Sequence, residues 1–292
     1  RLKKLNLLLN KNLHATTNRE IGYDNWMKAY LPYHWLAEYY DIINGNGGFD
    51  VIIGNPPYVV SKEKDLRDIR QPAAVIEARN LYSAILYRCK SFSHNSTFVG
   101  MIVPISYIST NQQRKVRKHL ENNHCSYYSS YDIRPDHLFD GAAQRLTIFV
   151  VAPNGLGSYI DKQLRWYTVY RPVLFNTIKY YPTLENDLAL FRTNNIAYGI
   201  ISKIISRQRY MSFSKNTYWV ATTANNYIKA VIKQPRYTTN GVNSIPSGWR
   251  EMQSQWGNVE NVISIINSSL FYFIWKSSSD GFNLPTKFSN DF

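Results

Sequence analysis

The sequence predicts an α/β first part, residues 1–152, followed by a mixed α+β second part, residues 153–292. Three observations carry this reading. Strand-like stretches near 51–54, 98–106, 126–133 and 144–152, the first three separated by segments with helical spacing and the last two by a loop, give the strand-helix alternation of a sheet with crossover helices. Pro153-Asn154-Gly155-Leu156-Gly157 then punctuates the chain as a boundary does. Beyond it, strand-like stretches (Leu164–Val173, Tyr218–Val231) interleave with helical patterns at Ile196–Ile205 and Val259–Trp275.

Taken in order, leucines at 2, 5, 7, 8 and 9 mark part of a helix, and the aromatic-rich Trp26–Tyr40 packs on the sheet. Within it Trp35 is expected in the core and His34 as a hydrogen-bonded structural residue. Gly45-Asn46-Gly47 reads as a turn. Val51-Ile52-Ile53 is a continuous apolar run, the pattern of a strand covered on both faces. It stops at Asn55-Pro56-Pro57-Tyr58, where two prolines fix φ, extend their predecessors and remove two N–H donors. The result is a stiff corner that presents carbonyl oxygens and the Asn55 amide beside Tyr58. Val59–Arg70 is a polar loop, and Leu81, Ile85 and Cys89 mark one face of a helix over Asn80–Ser91. Phe98–Ser106 is a second buried strand. Thr110–Asn122 is a basic helix whose Arg114, Lys115, Arg117 and Lys118 are expected at the surface, and Val259–Trp275 is expected as one helix.

A formal charge of +14 and a pI near 9.6 favour a polyanionic partner. Residues 1–150 hold 19 Lys and Arg against 13 Asp and Glu, net +6; residues 151–292 hold 15 against 7, net +8, with five of the seven tryptophans. Basic and aromatic enrichment together suit a nucleic-acid surface in the second part, or a merely solvated basic exterior. Cys89 and Cys125 are the only cysteines and form no C-x-x-C pair, so no metal site is expected and a reducing, cytoplasmic setting suits the chain. The longest apolar stretch, Phe98–Ile108, is too short for a bilayer, which excludes a membrane role. A start at Arg1 and an end at Phe292 read as a piece of a longer protein.

The corner suits one kind of chemistry. An exocyclic amino group carries two hydrogens. The Asn55 side-chain oxygen and the Pro56 carbonyl can take both, while Tyr58 stacks on the ring of a base turned out of its helix. Asn55-Pro56-Pro57-Tyr58 after an apolar strand resembles motif IV of the amino-directed S-adenosylmethionine-dependent methyltransferases. Leu31-Pro32-Tyr33-His34-Trp35 and Gly47-Gly48 precede it much as in large N6-adenine DNA methyltransferases of the Type IIG restriction-modification kind. Leu138-Phe139-Asp140-Gly141-Ala142-Ala143-Gln144-Arg145-Leu146-Thr147-Ile148 is similar to motif VIII of the same enzymes. Asn267–Tyr272 followed by Asp280-Gly281 resembles a segment of their target-recognition domain.

The resemblance implies the C-terminal half of a Rossmann-like methyltransferase sheet, residues 1–152, and part of a target-recognition domain, residues 153–292. It implies in-line methyl transfer from S-adenosyl-L-methionine to adenine N6 in double-stranded DNA. Asn55 and Pro56 would hold the amine, Pro57 set the corner and Tyr58 stack, with no strong general base required. Phe139 is a second candidate for packing on the base, or a hydrophobic anchor under its loop. Arg145 contacts phosphate or pairs with an acid. The cofactor-binding half is expected upstream of Arg1, because no strand here leads through a glycine-rich turn into a helix with an acid beyond. No Glu-x-Lys triplet occurs, so a nuclease, fused or separate, would lie elsewhere. Two rivals stand beside this reading: a non-catalytic DNA-binding module, and a protein-glutamine methyltransferase, against which the basic second part speaks.

Overall fold

The computed structural model describes the chain except residues 18–19, 140–142, 186–188, 193, 206–215, 225, 245, 255–257 and 285–292. Its first sheet contains β1 (Phe49–Gly54), β2 (Ser93–Pro104), β3 (Cys125–Tyr131), β4 (Leu146–Ala152), β5 (Gly157–Leu164) and β6 (Tyr181–Pro182), in the order β1-β2-β4-β3-β5-β6. β1 runs parallel to β2, with Ile52 opposite Val99 and Gly54 opposite Met101, whereas β5 and β6 are antiparallel. A parallel pair needs a crossover, and the helices Glu63–Asp68, Ala73–Ala78 and Leu81–Cys89 supply it. The protein is thus α/β with a mixed sheet.

The chain forms two compact units. The first comprises Arg1–Ile102, Lys115–Ser126 and Val150–Leu156. Its core gathers Val75, Tyr82 and Leu86 from the crossover helices, Val99 and Met101 from β2, and Val116 and Leu120 from the helix Arg114–Glu121. That helix corrects one expectation: Arg117 is buried with Val116 and Leu120, while Lys115 reaches Glu77 at 2.6 Å. A four-residue basic run cannot keep every member outside, because a turn spans only 3.6 residues. His34 is held as expected, Nε2 lying 2.7 Å from Asn10 Oδ1. The two tryptophans exchange expected roles. Trp26 is buried among His14, Tyr23 and Tyr30, and Trp35 is 49% exposed, stacked on Tyr39.

β1 differs from its expected burial. It forms over the predicted residues, but Val51 is 60% and Ile53 83% exposed, and only the alternate residues turn inward. β1 is an edge strand, and among the described residues no element covers its outer face. An exposed apolar edge is a template for pairing with another chain. Lysine at both Val51 and Ile53 is therefore expected to reduce self-association of this 292-residue chain by light scattering. An unchanged particle size would show that the edge is not the adhesive surface.

The second unit comprises Val103–Arg114, Tyr127–Phe149 and Gly157–Phe292. An antiparallel sheet of β7 (Thr217–Ala221), β8 (Ala230–Val231) and β11 (Trp249–Gln253), ordered β11-β7-β8, backs the helices Val259–Ile266 and Ser269–Ser278. Tyr218, Val220, Met252, Ile266, Phe271 and Trp275 fill the space between them. The expected single helix 259–275 breaks at Asn267-Ser268. Ser268 caps the second helix by accepting from Phe271 N–H, and the Asn267 amide closes the edge of β8 through both polar groups of Ala230. β9 (Tyr237–Thr239) and β10 (Val242–Ser244) form a hairpin whose turn residues, Asn240 and Gly241, have φ of 52° and 78°, the pattern of a tight primed turn. Leu164–Val173, expected as a strand, is instead the end of β5 followed by a 3-10 helix over Thr168–Thr177. Pro172 has no N–H to give a ladder, and of the aromatics that suggested a strand Trp166 is buried while Tyr167 and Tyr170 stand in solvent.

Candidate active site

Asn55-Pro56-Pro57-Tyr58 leaves the end of β1, in the first unit. Pro56 is buried, Asn55 and Pro57 are exposed, and Tyr58 is half-buried. Gly54 lets the strand approach β2 closely at this point. A Cβ there would lie 3.3 Å from Met101 Sδ. The chain after the corner is tied down: Ser61 N–H donates to Arg79 O and Leu81 N–H to Val59 O, both at 2.8 Å. The segment expected as a loop contains the helix Glu63–Asp68, where Glu63 binds Arg67 and Arg79 and is held below the usual carboxylate range by those hydrogen bonds and charges.

The hydroxyl of Tyr58 donates to Asn55 Oδ1 at 2.6 Å and lies 3.2 Å from the Ile102 carbonyl of β2. Burial pushes its pKa up, so it remains a donor through the physiological range. A carbonyl oxygen has two lone pairs. The bond from Tyr58 occupies one and fixes the rotation of the amide, and the other stays available to an amino hydrogen. Sequence reasoning expected Asn55 and Tyr58 to act on one ligand but missed the bond between them and the proximity of Ile102, which only the pairing of β1 with β2 reveals. The recess lined by Lys90, Asn95, Asn122, Asn123, His124 and Asn154 opens near the start of β2 and holds none of the candidates.

Phe139 and Arg145 belong to the second unit; Asp140, Gly141 and Ala142 of the same run lie outside the described residues. Leu138 is the buried anchor of that loop, its carbonyl accepting from Arg171 Nη2 at 2.6 Å, and Phe139 beside it is half-buried. Arg145 Nε donates to Asp132 Oδ1 at 2.9 Å, and Lys276 Nζ donates to Asp132 Oδ2 at 3.2 Å. Burial would raise the Asp132 pKa, but Lys276 and Arg145 together hold it below the ordinary carboxylate value. Arg192, 3% exposed, donates through Nη2 to the carbonyls of Lys276 and Ser279, and burial pulls its pKa down to about 9. Sequence reasoning missed this cluster: Asp132 and Lys276 lie 144 positions apart.

Residues 1–137 match the Eco57I restriction-modification methylase family. The match ends just short of half of the chain. No curated protein matches. Among solved structures, a nuclease-deletion mutant of the Type ISP restriction-modification enzyme LlaGI, in complex with a DNA substrate mimic, is 13% identical over 64% of this chain and 22% of its own, with a TM-score of 0.40. The DrdV–DNA complex is 12% identical over 62% of this chain and 24% of its own, at 0.39. A modification subunit of a type I restriction enzyme from Vibrio vulnificus YJ016, itself so described only provisionally, is 12% identical over 52% and 36%, at 0.31. The chain spans only 22–36% of the length of these structures.

Among the described residues no group of His, Cys, Asp and Glu could hold a metal ion, and no helix is long and apolar enough to cross a membrane. Nor does any strand among them pass through a glycine-rich turn into a helix: Gly155 and Gly157 follow β4 but open β5.

Proposed function

We propose that this chain carries the target-amine side of a DNA adenine-N6 methyltransferase of a restriction-modification system, with S-adenosyl-L-methionine as methyl donor. One observation carries the reading: an exposed Asn55 amide, locked by the Tyr58 hydroxyl, at the end of a strand and followed by two prolines and a tyrosine. The match of residues 1–137 to a restriction-modification methylase family supports it, and the +14 charge suits a DNA partner. Asn55 Oδ1 and the Pro56 carbonyl take the two hydrogens of the amino group. As the nitrogen pyramidalises, its lone pair is withdrawn from conjugation with the ring and turned towards the donated methyl group, and the extra proton leaves to solvent after transfer. Pro57 keeps the corner stiff and Tyr58 both pins Asn55 and offers its ring to the base. Phe139 and Arg145, in the second unit, are proposed as substrate contacts of that unit by itself. Since Arg145 Nε is committed to Asp132, a phosphate would meet its terminal nitrogens. A nuclease, if the system has one, is assigned to no residue here.

The test is transfer of labelled methyl groups by the complete protein to duplex DNA, followed by digestion to nucleosides. Label in N6-methyladenosine supports the proposal; label only in cytosine, or none, overturns it. Tyr58→Phe separates the two roles of the tyrosine. It keeps the ring and loses the hydroxyl that orients Asn55, so kcat is expected to fall about tenfold, the worth of about one hydrogen bond, with KM nearly unchanged. Tyr58→Ala is expected to raise KM as well, through about 1–3 kcal/mol of lost stacking. Equal kinetics for Tyr58→Phe and wild type would remove the orienting role.

A further inference from the structure

The 3-10 helix Thr168–Thr177, in the second unit, is much longer than the three or four residues usual for its kind. Side chains three apart share a face in such a helix. Tyr167, its N-cap, lines up with Tyr170 and Val173, and Val169 lines up with Pro172 and Phe175. All six are exposed, Tyr167 at 59%, Tyr170 at 58% and Val169 at 75%. The third face is the anchor. Leu174 is buried, and Arg171 lies 5.2 Å over the ring of the buried Trp166 while donating to Leu138 O. Thr168 N–H donates to Asp136 Oδ2 at 2.5 Å. The aromatic ridge is therefore held in place rather than left to collapse onto the unit.

Its electrostatic setting is mostly positive, with the Asp136 carboxylate at the Thr168 N–H as an exception. From Gly157 to Pro182 the basic residues are Lys162, Arg165, Arg171 and Lys179, all exposed. The only acid in that span, Asp161, is buried and occupied by the backbone N–H groups of Lys162 and Lys179. Rigid exposed aromatic rings flanked by cations are what unstacked nucleotides require: ring faces for bases and positive charge for phosphates. An apolar protein partner would have no use for the uncompensated charge.

We infer that the ridge of Tyr167 and Tyr170, flanked by Arg165, Lys162 and Lys179, is a binding surface for unstacked, single-stranded stretches of DNA. The inference rests on the methyltransferase reading for its place in the reaction, since extruding a base leaves neighbouring nucleotides unstacked. Its geometry lies entirely in the second unit and is independent of Asn55.

The test measures binding of the full chain to a short labelled single strand and to the matching duplex, by fluorescence anisotropy without cofactor. Tyr167→Ala combined with Tyr170→Ala is expected to weaken single-strand binding about tenfold or more. Tyr167→Phe with Tyr170→Phe should restore it, because the ring and not the hydroxyl carries the contact. The melting temperature should hold, since these side chains are exposed; a fall in melting temperature is controlled by the phenylalanine variant, which keeps the packing. Single-strand affinity unchanged by the alanine pair overturns the inference. So does a loss of self-association in that pair with DNA affinity unchanged, which would make the ridge a contact between copies of this chain. If the complete protein transfers no methyl group yet the alanine pair still loses single-strand binding, the methyltransferase reading fails and the binding surface stands.

Discussion

Replacing Asn55 with alanine in the complete protein is expected to reduce methyl transfer more than a hundredfold and to leave DNA binding nearly intact. Loss of one preorganised hydrogen-bonding partner at the reacting centre costs about 3 kcal/mol at the transition state. Two losses combine here. The amine forfeits an acceptor, and the Tyr58 hydroxyl forfeits the partner it reaches at 2.6 Å. Because Tyr58 retains the Ile102 carbonyl, its ring should stay near its place, so the effect should fall on kcat and spare substrate affinity. Methyl transfer by Asn55→Ala at the wild-type rate would end the proposed mechanism, whatever the binding data showed.

The second large effect is on stability. Asp132 is buried, and its carboxylate is shared by Arg145 and Lys276, with Arg192 close behind. Asp132→Asn leaves those cations facing one another without a counter-charge, which is expected to cost about 3 kcal/mol. That corresponds to a melting temperature lower by roughly 6–12 °C for a unit of this size. Lys276→Met should cost much less, because Arg145 still neutralises the carboxylate. The pH dependence has a definite sign. Asp132 is held below its unfolded value of about 3.9, so its contribution is full above that pH and is lost as pH falls through the lower folded value. Asp132→Asn should therefore flatten the acid limb of the stability curve below about pH 4. A wild-type melting temperature and an unchanged acid limb in the variant would show that the cluster contributes nothing.

Much of the first unit was legible because its signals are local. The apolar runs at 51–54 and 98–104 became β1 and β2, and the four-residue spacing of Leu81, Ile85 and Cys89 became a helix. Two prolines after an apolar run can only make a corner. Errors arose where a local pattern had two solutions. Alternating aromatics at Leu164–Val173 suited a strand in the absence of neighbours, but Pro172 and the anchor at Leu174 made a 3-10 helix. The stripe over Val259–Trp275 is helical throughout, yet Ser268 finds a better use as a cap than as an interior residue.

What the sequence determined alone is the chemistry on offer: an amide, two prolines and a tyrosine after a strand, on a chain of strongly basic charge. Those follow from residue type and adjacency, which no folding changes. The tertiary structure decided which groups act on which. It placed Ile102 beside Tyr58 by pairing β1 with β2, put Trp26 inside and Trp35 outside, and left Val51 and Ile53 on an open edge. It also joined Asp132 to Lys276 across 144 positions. Contacts of that range depend on where the backbone returns, and the free energy that selects them is summed over the whole core rather than written at either residue.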